Sequence, residues 1–320
     1  MKKGKIHFVN GAMARERELY FQSHEHLWIS PGRSGEVNSA LCIDDYQKSL
    51  CELQGYRKSG GEAIADAQPV GCGRMAKQLY SLSVESQVEI LASTGFHKMI
   101  FYPEEHWIFR LSEDKLAELY IKELTEGMYQ DPDNIVPVTQ TSVKAGQIKT
   151  ALEAEKMSAQ YHKMFSAAAY AAVETGAPLM VHVENGCSPE TYFEFLLKKN
   201  VKPEQMIFCH MDRACADMGI HKAVAEAGVF LEYDTIAREK YHSDEREIEI
   251  FCEMADAGFE DALLFSLDTT RQRLQAYGGS VGLDYILRVF LKKMQKNGIP
   301  QSMIRKISKE NPSRAFRWLK

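Results

Sequence analysis

From about Leu19 onward, short apolar runs alternate with longer amphipathic stretches almost to the end of the chain. Few folds accept that rhythm. It is the pattern of parallel βα units, in which each run is a strand and each stretch a helix that carries the chain back across the sheet. Candidate strands fall at residues 19–24, 63–67, 98–102, 147–151, 179–183, 206–209, 229–233 and 263–267. Capping serines and periodic apolar positions predict helices at 112–128, 158–175, 188–199 and 243–257. Gly176, Gly228 and Gly258 stand where the preceding helices should stop.

Eight strands with intervening helices, and no linker-like Pro/Gly/Ser tract, favour a closed barrel over an open sheet. The fold class is therefore α/β: one (β/α)8 TIM-barrel domain over residues 1–320, with an additional C-terminal helical segment at 300–318 packed against it. A chain of 320 residues buries about three quarters of the surface its unfolded form exposes, so one domain of this size needs no staples.

The net charge of −5 gives no global attraction to nucleic acid or to an anionic membrane. The expected partner is a small molecule, and any anionic substrate must be caught by local positive groups. No apolar stretch approaches the roughly 20 residues that span a bilayer. Met1-Lys2-Lys3-Gly4 leads into a segment without a signal-peptide core, and the seven cysteines contain no CxxC pair. Reduced thiols and a cytoplasmic location are the expectation, with a symmetric homodimer as the oligomeric prior.

In a TIM barrel the functional groups sit where strands end, at the C-terminal face. The informative question is which polar residues terminate the apolar runs. Strand one ends in His24-Glu25-His26, whose two-residue spacing points both imidazoles to the same side. Strands five, six and eight end in His182, His210 and Asp268. Any one of these could be a satisfied core or rim residue. Together they deliver four imidazoles and a carboxylate to one rim, a donor set that suits zinc, manganese, iron or nickel.

The chain resembles the phosphotriesterase family of the amidohydrolase superfamily. The resemblance is carried by His24-Glu25-His26-Leu27, Gly73-Arg74, Thr94-Gly95-Phe96, the run from Lys144 to Lys149, Thr175-Gly176-Ala177-Pro178, His182, His210-Met211-Asp212, Tyr233-Asp234-Thr235-Ile236, Ser266 to Arg271, Gly278-Gly279 and Glu310-Asn311-Pro312. It implies that His24, His26 and Asp268 hold one divalent metal ion and His182 and His210 a second. Lys149 is similar to the lysine that becomes carbamylated and bridges the two, since an ammonium cannot ligate a cation whereas a carbamate offers each an anionic oxygen. Glu153 is the substitute considered for that role. Zinc is the expected metal, with manganese, iron, cobalt or nickel also compatible. Glu18-Leu19-Tyr20-Phe21-Gln22-Ser23 resembles a protease recognition site but is read as native because it supplies strand one; Arg15-Glu16-Arg17-Glu18 departs from the usual family opening.

Two adjacent divalent ions give hydroxide at neutral pH and polarise a carbonyl or phosphoryl oxygen. Asp268 is then the catalytic residue placed to take and return the proton. Arg213 follows strand six, Arg238, Lys240 and Tyr241 follow strand seven, and Arg271 and Arg273 follow strand eight. These can be solvated rim charges or a phosphate pocket. The resemblance points to the branch that opens phosphorylated sugar (furanose) lactones, with Lys240 and Arg271 at the phosphate-holding positions. Tyr102 is a further candidate pocket residue. His97, His162 and His221 are read as surface histidines. The alternatives are a lactonase, esterase or phosphotriesterase acting on substrates without phosphate, and a metal-binding barrel without turnover.

Overall fold

The structure, a computed structural model, describes residues 4–14, 18–130, 132–133, 135–153 and 156–320; Arg15-Glu16-Arg17 and Met1-Lys2-Lys3 lie outside them. Strand β1 (Phe21–Glu25) pairs in parallel with β2 (Ala63–Asp66), and β2 with the first half of β3 (Glu89–Leu91). After Ala92, β3 resumes as Ser93–Gly95. From there a parallel run continues through β4 (Gln147–Ala151), β5 (Leu179–His182), β6 (Met206–Cys209), β7 (Phe230–Tyr233) and β8 (Leu263–Phe265). The cylinder closes between β8 and β1. There the Ser23 hydroxyl donates to the Phe265 carbonyl at 2.8 Å and the Asp268 N–H donates to the His24 carbonyl at 3.1 Å.

The third strand corrects the sequence reading. Residues 98–102, expected as strand, form a single helical turn at Met99–Phe101 with Ile100 46% exposed. The strand lies upstream, and its second half, Ser93-Thr94-Gly95, is polar or small yet buried. Neighbouring strands satisfy Ser93: its hydroxyl donates to the Asp66 carbonyl at 2.6 Å and Gln147 Nε2 donates to Ser93 Oγ at 2.9 Å. A search for apolar runs passes over such a strand.

Helices α1 (Tyr46–Lys58), α2 (Ala76–Ser86), α3 (Glu113–Thr125), α4 (Ala159–Thr175), α5 (Pro189–Lys198), α6 (Met218–Glu226) and α7 (Asp244–Asp256) follow β1 to β7 in turn. After β8 comes α8, Ile286–Phe290 running on as Leu291–Lys296. Ser112, Ser158 and Ser243 cap α3, α4 and α7, each accepting a bond from a backbone N–H three residues on. Gly176 ends α4 in the left-handed conformation (φ 80°), as a glycine C-cap does.

Inside the barrel the N-terminal end is apolar and sealed. Phe21 stacks on Phe316 with centroids 4.7 Å apart and meets Phe8 at 6.2 Å, from the Ile6–His7 and Met13–Ala14 hairpin. Phe316 follows the expected C-terminal helical segment, which runs from Gln301–Arg305 to Asn311–Ala315. Tyr20 and Phe21 are buried, so the run that resembles a protease site is part of the fold. With one end closed by rings, polar groups can gather only at the other. No helix among the described residues is long and apolar enough to cross a membrane.

Candidate metal centre

At the open end His24, His26 and Asp268 come together, all buried, with ligating atoms within 4.8 Å of one another. His24 Nε2 and His26 Nε2 stand 3.7 and 3.5 Å from Asp268 Oδ1. The His24 and His210 rings have centroids 4.9 Å apart, and His210 and His182 are at 4.3 Å. His210 and Asp268 take φ of 66° and 48°, a backbone that costs a non-glycine residue of order 1–3 kcal/mol and persists where the surroundings over-determine it. In both cases the turn follows a strand whose register is fixed by its neighbours.

Lys149 lies on β4 under these rings and is 1% exposed. Its Nζ has His24 Nε2 at 3.4 Å, Met180 Sδ at 3.4 Å and Cys209 Sγ at 3.3 Å. None is an anion, because burial raises the Cys209 thiol well above its ordinary value. Glu153, beyond the end of β4, is exposed. Gly95 (φ 96°) lets β3 approach β4 so closely that a methyl there would collide with the Lys149 carbonyl.

Burial, reinforced by Lys149 for His24 and by Arg213 for His210, holds both imidazoles well below their ordinary value; burial takes His182 down to about 4. They are neutral at pH 7, the form that ligates. Carboxylates that sequence reasoning missed face the opposite ring nitrogens. Glu232 Oε2 is 3.0 Å from His24 Nδ1, and Asp234 Oδ1 is 2.7 Å from His210 Nδ1. Glu184 Oε2 sits 3.2 Å from His182 Nε2. The one signal available was Glu232-Tyr233-Asp234, two acids at strand spacing on a strand that brings no histidine. Among the described residues His26 Nδ1 is buried without a hydrogen-bond partner.

The basic residues divide. Asp268 Oδ2 is clamped by Arg213 at 3.1 Å and Arg238 at 3.2 Å. Burial works against ionisation, yet Arg238, His26 and Arg213 outweigh it and hold the Asp268 carboxyl well below the usual range. Tyr241, 41% exposed, lies between Arg213 (5.2 Å) and Lys240 (4.6 Å). Lys240 forms no ion pair among the described residues. Arg271 turns elsewhere, pairing with Asp44 at 2.9 Å and the Cys42 carbonyl at 3.0 Å over the Tyr277 ring. Arg273 bonds the carbonyls of Leu267 and Ile236. Tyr102 is 3% exposed, its hydroxyl accepting from the His97 N–H at 2.9 Å. A cavity of about 340 Å³ opens on the same face, lined by Ser30, Arg33, Gly71, Cys72, Phe101 and Pro103.

Two histidines expected at the surface are not there. His221 is fully buried between the Tyr233 hydroxyl and the Cys215 carbonyl, each at 2.9 Å. His97 is partly buried with its ring 5.8 Å from that of His182.

A family model, that of the phosphotriesterase family, matches residues 5–316. The chain belongs to the phosphotriesterase family. It is a metal-dependent hydrolase on the barrel of that family. A phospho-furanose lactonase of Mycoplasmopsis synoviae is 25% identical over 305 residues, spanning 92% of this chain and 86% of that protein. An N-acetyltaurine hydrolase of Bos taurus is 27% identical over 305 residues, spanning 92% and 83%. A lactonase of Listeria monocytogenes superposes with a TM-score of 0.88 at 27% identity, over 99% of this chain and 100% of the other.

Proposed function

We propose that this hydrolase opens a phosphorylated furanose lactone at a binuclear metal centre. The observation that carries the reading is the buried Lys149 amine, which has no carboxylate at ion-pairing distance among the described residues, beneath four imidazoles and a carboxylate drawn from four strand ends. That donor set fits two divalent ions, zinc by preference: His24, His26 and Asp268 toward one, His182 and His210 toward the other, and a carbamylated Lys149 between them. When bound, such ions supply Lewis acidity toward a carbonyl oxygen and bring the pKa of water near neutrality.

The chain's own residues do the rest. Glu232 and Asp234 accept from the Nδ1–H of His24 and His210, which leaves each Nε2 its lone pair; those lone pairs face the Lys149 amine at 3.4 Å and His182 Nδ1 at 2.8 Å, contacts that a bound ion would replace. Asp268 directs Oδ1 toward the imidazoles and Oδ2 toward Arg213 and Arg238, which keep it deprotonated. An anionic substrate group entering the mouth competes for those guanidinium groups and raises the proton affinity of Oδ2. Asp268 then takes the proton of the water whose oxygen bonds to the lactone carbonyl carbon, and returns it to the ring oxygen as the acyl C–O bond breaks. A neutral substrate leaves the clamp in place.

Arg213, Arg238, Lys240 and Tyr241 line one side of the mouth and supply this cationic wall; Arg271, held by Asp44, flanks it. The two curated relatives support an anionic tail, since one is named for a phosphorylated sugar and the other for a sulfonated amide. All seven cysteines are unpaired, as a cytoplasmic enzyme's would be. Lys240→Ala is expected to raise KM for a phosphorylated lactone roughly tenfold, the loss of about 1.4 kcal/mol of binding. KM for the unphosphorylated counterpart should be unchanged. Equal effects on both substrates would leave the metal centre standing and remove the phosphate.

A further inference from the structure

Away from the histidine cluster, three further side chains converge on one point. Asp212 follows β6, His242 lies in the loop between β7 and α7, and Glu247 is in the first turn of α7. Asp212 and Glu247 are buried, and the His242 side chain is 13% exposed. One ligating atom from each lies within 4.8 Å of the others. His242 Nε2 is 3.2 Å from Glu247 Oε2 and 3.9 Å from Asp212 Oδ2.

We propose that Asp212, His242 and Glu247 form a third divalent-cation site, separate from the histidine centre, that ties the loop after β6 to the loop after β7. The tautomer is the first argument. His242 Nδ1 faces the Ser243 carbonyl at 3.2 Å, which places the ring proton there. A neutral His242 then turns its Nε2 lone pair toward two carboxylates, an arrangement of acceptors that a cation between them makes favourable.

Hydrogen-bonding geometry is the second argument. Among the described residues, both oxygens of Glu247, which is 0% exposed, and His242 Nε2 lack a hydrogen bond of good geometry. A buried carboxylate left so costs several kcal/mol. The 3.2 Å between His242 Nε2 and Glu247 Oε2 falls within the roughly 3.0–3.4 Å that ligands about 2.1 Å from a common ion keep in octahedral or tetrahedral arrays, and Asp212 Oδ2, at 3.9 Å from His242 Nε2, closes by about half an ångström to join them. Among the described residues no lysine or arginine pairs with Asp212 or Glu247, so positive charge is what these two buried carboxylates lack. Arg213 does not supply it: its backbone N–H donates to Asp212 Oδ1 at 3.1 Å, but its guanidinium goes to Asp268 and Asp234. Asp212 Oδ2 also accepts from the Thr235 N–H at 2.6 Å, so the ligand is already held by both loops.

A cation here fixes the segments that carry Arg213, Arg238, Lys240 and Tyr241. The test uses the full chain reconstituted with Co2+ and freed of excess ion, with metal per chain measured by elemental analysis. His242→Ala, and separately Glu247→Gln, should each lose one equivalent relative to the parent. Lys149→Met should lose the histidine-centre ions and keep this one, which separates the site from the binuclear reading. Crystals of the parent soaked in Co2+ should show an anomalous peak between His242 Nε2 and Glu247, a measurement that does not depend on any variant folding. Unchanged stoichiometry in His242→Ala, or no peak at that position, overturns the proposal.

Discussion

Replacing Lys149 by Met should change the sign of its effect on stability with metal. In chelator the parent buries an ammonium whose neighbours are an imidazole nitrogen, a thioether and a neutral thiol. Removing a buried charge in favour of an apolar side chain of similar volume is worth roughly 1–4 kcal/mol. Met is nearly isosteric with Lys and the pocket already holds Met180 Sδ and Cys209 Sγ. With a urea slope near 3 kcal/mol per molar, a gain of about 2 kcal/mol raises the unfolding midpoint by roughly 0.7 M. With metal and bicarbonate the order inverts. Each ion bound at a hundredfold excess over its Kd adds about 2.7 kcal/mol to the folded parent, and the Met variant cannot form the proposed carbamate that would hold them. Far-UV circular dichroism in urea, run on both proteins with and without Zn2+, reads both arms. If Lys149→Met unfolds at lower urea than the parent in chelator, the amine is stabilised where it lies and the reasoning about its charge is wrong.

Other elements give independent expectations. Arg74 and Glu123 form a bidentate pair at 2.8 and 2.7 Å with both side chains at 0% exposure. Arg74→Met should cost roughly 3–5 kcal/mol by orphaning Glu123, and adding Glu123→Leu should recover most of it; a double variant no better than the single one contradicts that account. Phe316→Ala removes the ring stacked on Phe21 and should cost about 3–5 kcal/mol while leaving metal per chain unchanged. Burial lowers the His221 pKa, so the unfolded chain binds its proton more readily than the folded one. Stability should therefore fall as pH drops below about 6.5, and His221→Gln should flatten that slope between pH 7 and 5 in urea titrations.

The site was legible where an apolar run ended in an unusual side chain. His24, His182, His210 and Asp268 all terminate or closely follow buried strands, and the rule that barrel chemistry gathers at one rim places them together from the sequence alone. What stayed hidden was polarity that neighbouring strands satisfy. Ser93 and Thr94 look like loop residues, yet the barrel interior buries them, the Ser93 hydroxyl held between the Asp66 carbonyl and Gln147 Nε2. His221 looked like a surface residue for the same reason: nothing near it in sequence announces Tyr233 or the Cys215 carbonyl. Arg271 shows the converse, a basic residue in the expected loop whose guanidinium is claimed by Asp44, 227 positions away.

Strand β7 supplies no histidine, yet the proposed centre depends on it. Glu232 and Asp234 are two residues apart, so they leave the strand on one side, and each meets the Nδ1 of a different histidine. An imidazole carries one proton when neutral; a carboxylate at Nδ1 fixes it there and hands the lone pair to Nε2. Without that constraint either tautomer is available, and half of the ring orientations present an N–H to the place a cation would occupy. The two acids also oppose each other and Asp268 electrostatically, with burial pushing Glu232 up to about 8. Such a concentration of buried carboxylates is costly in an apo barrel and favourable around cations. The same acids that fix the tautomers therefore bias the pocket toward divalent ions, and the cost of β7 makes physical sense only in a protein that spends its working life with metal bound.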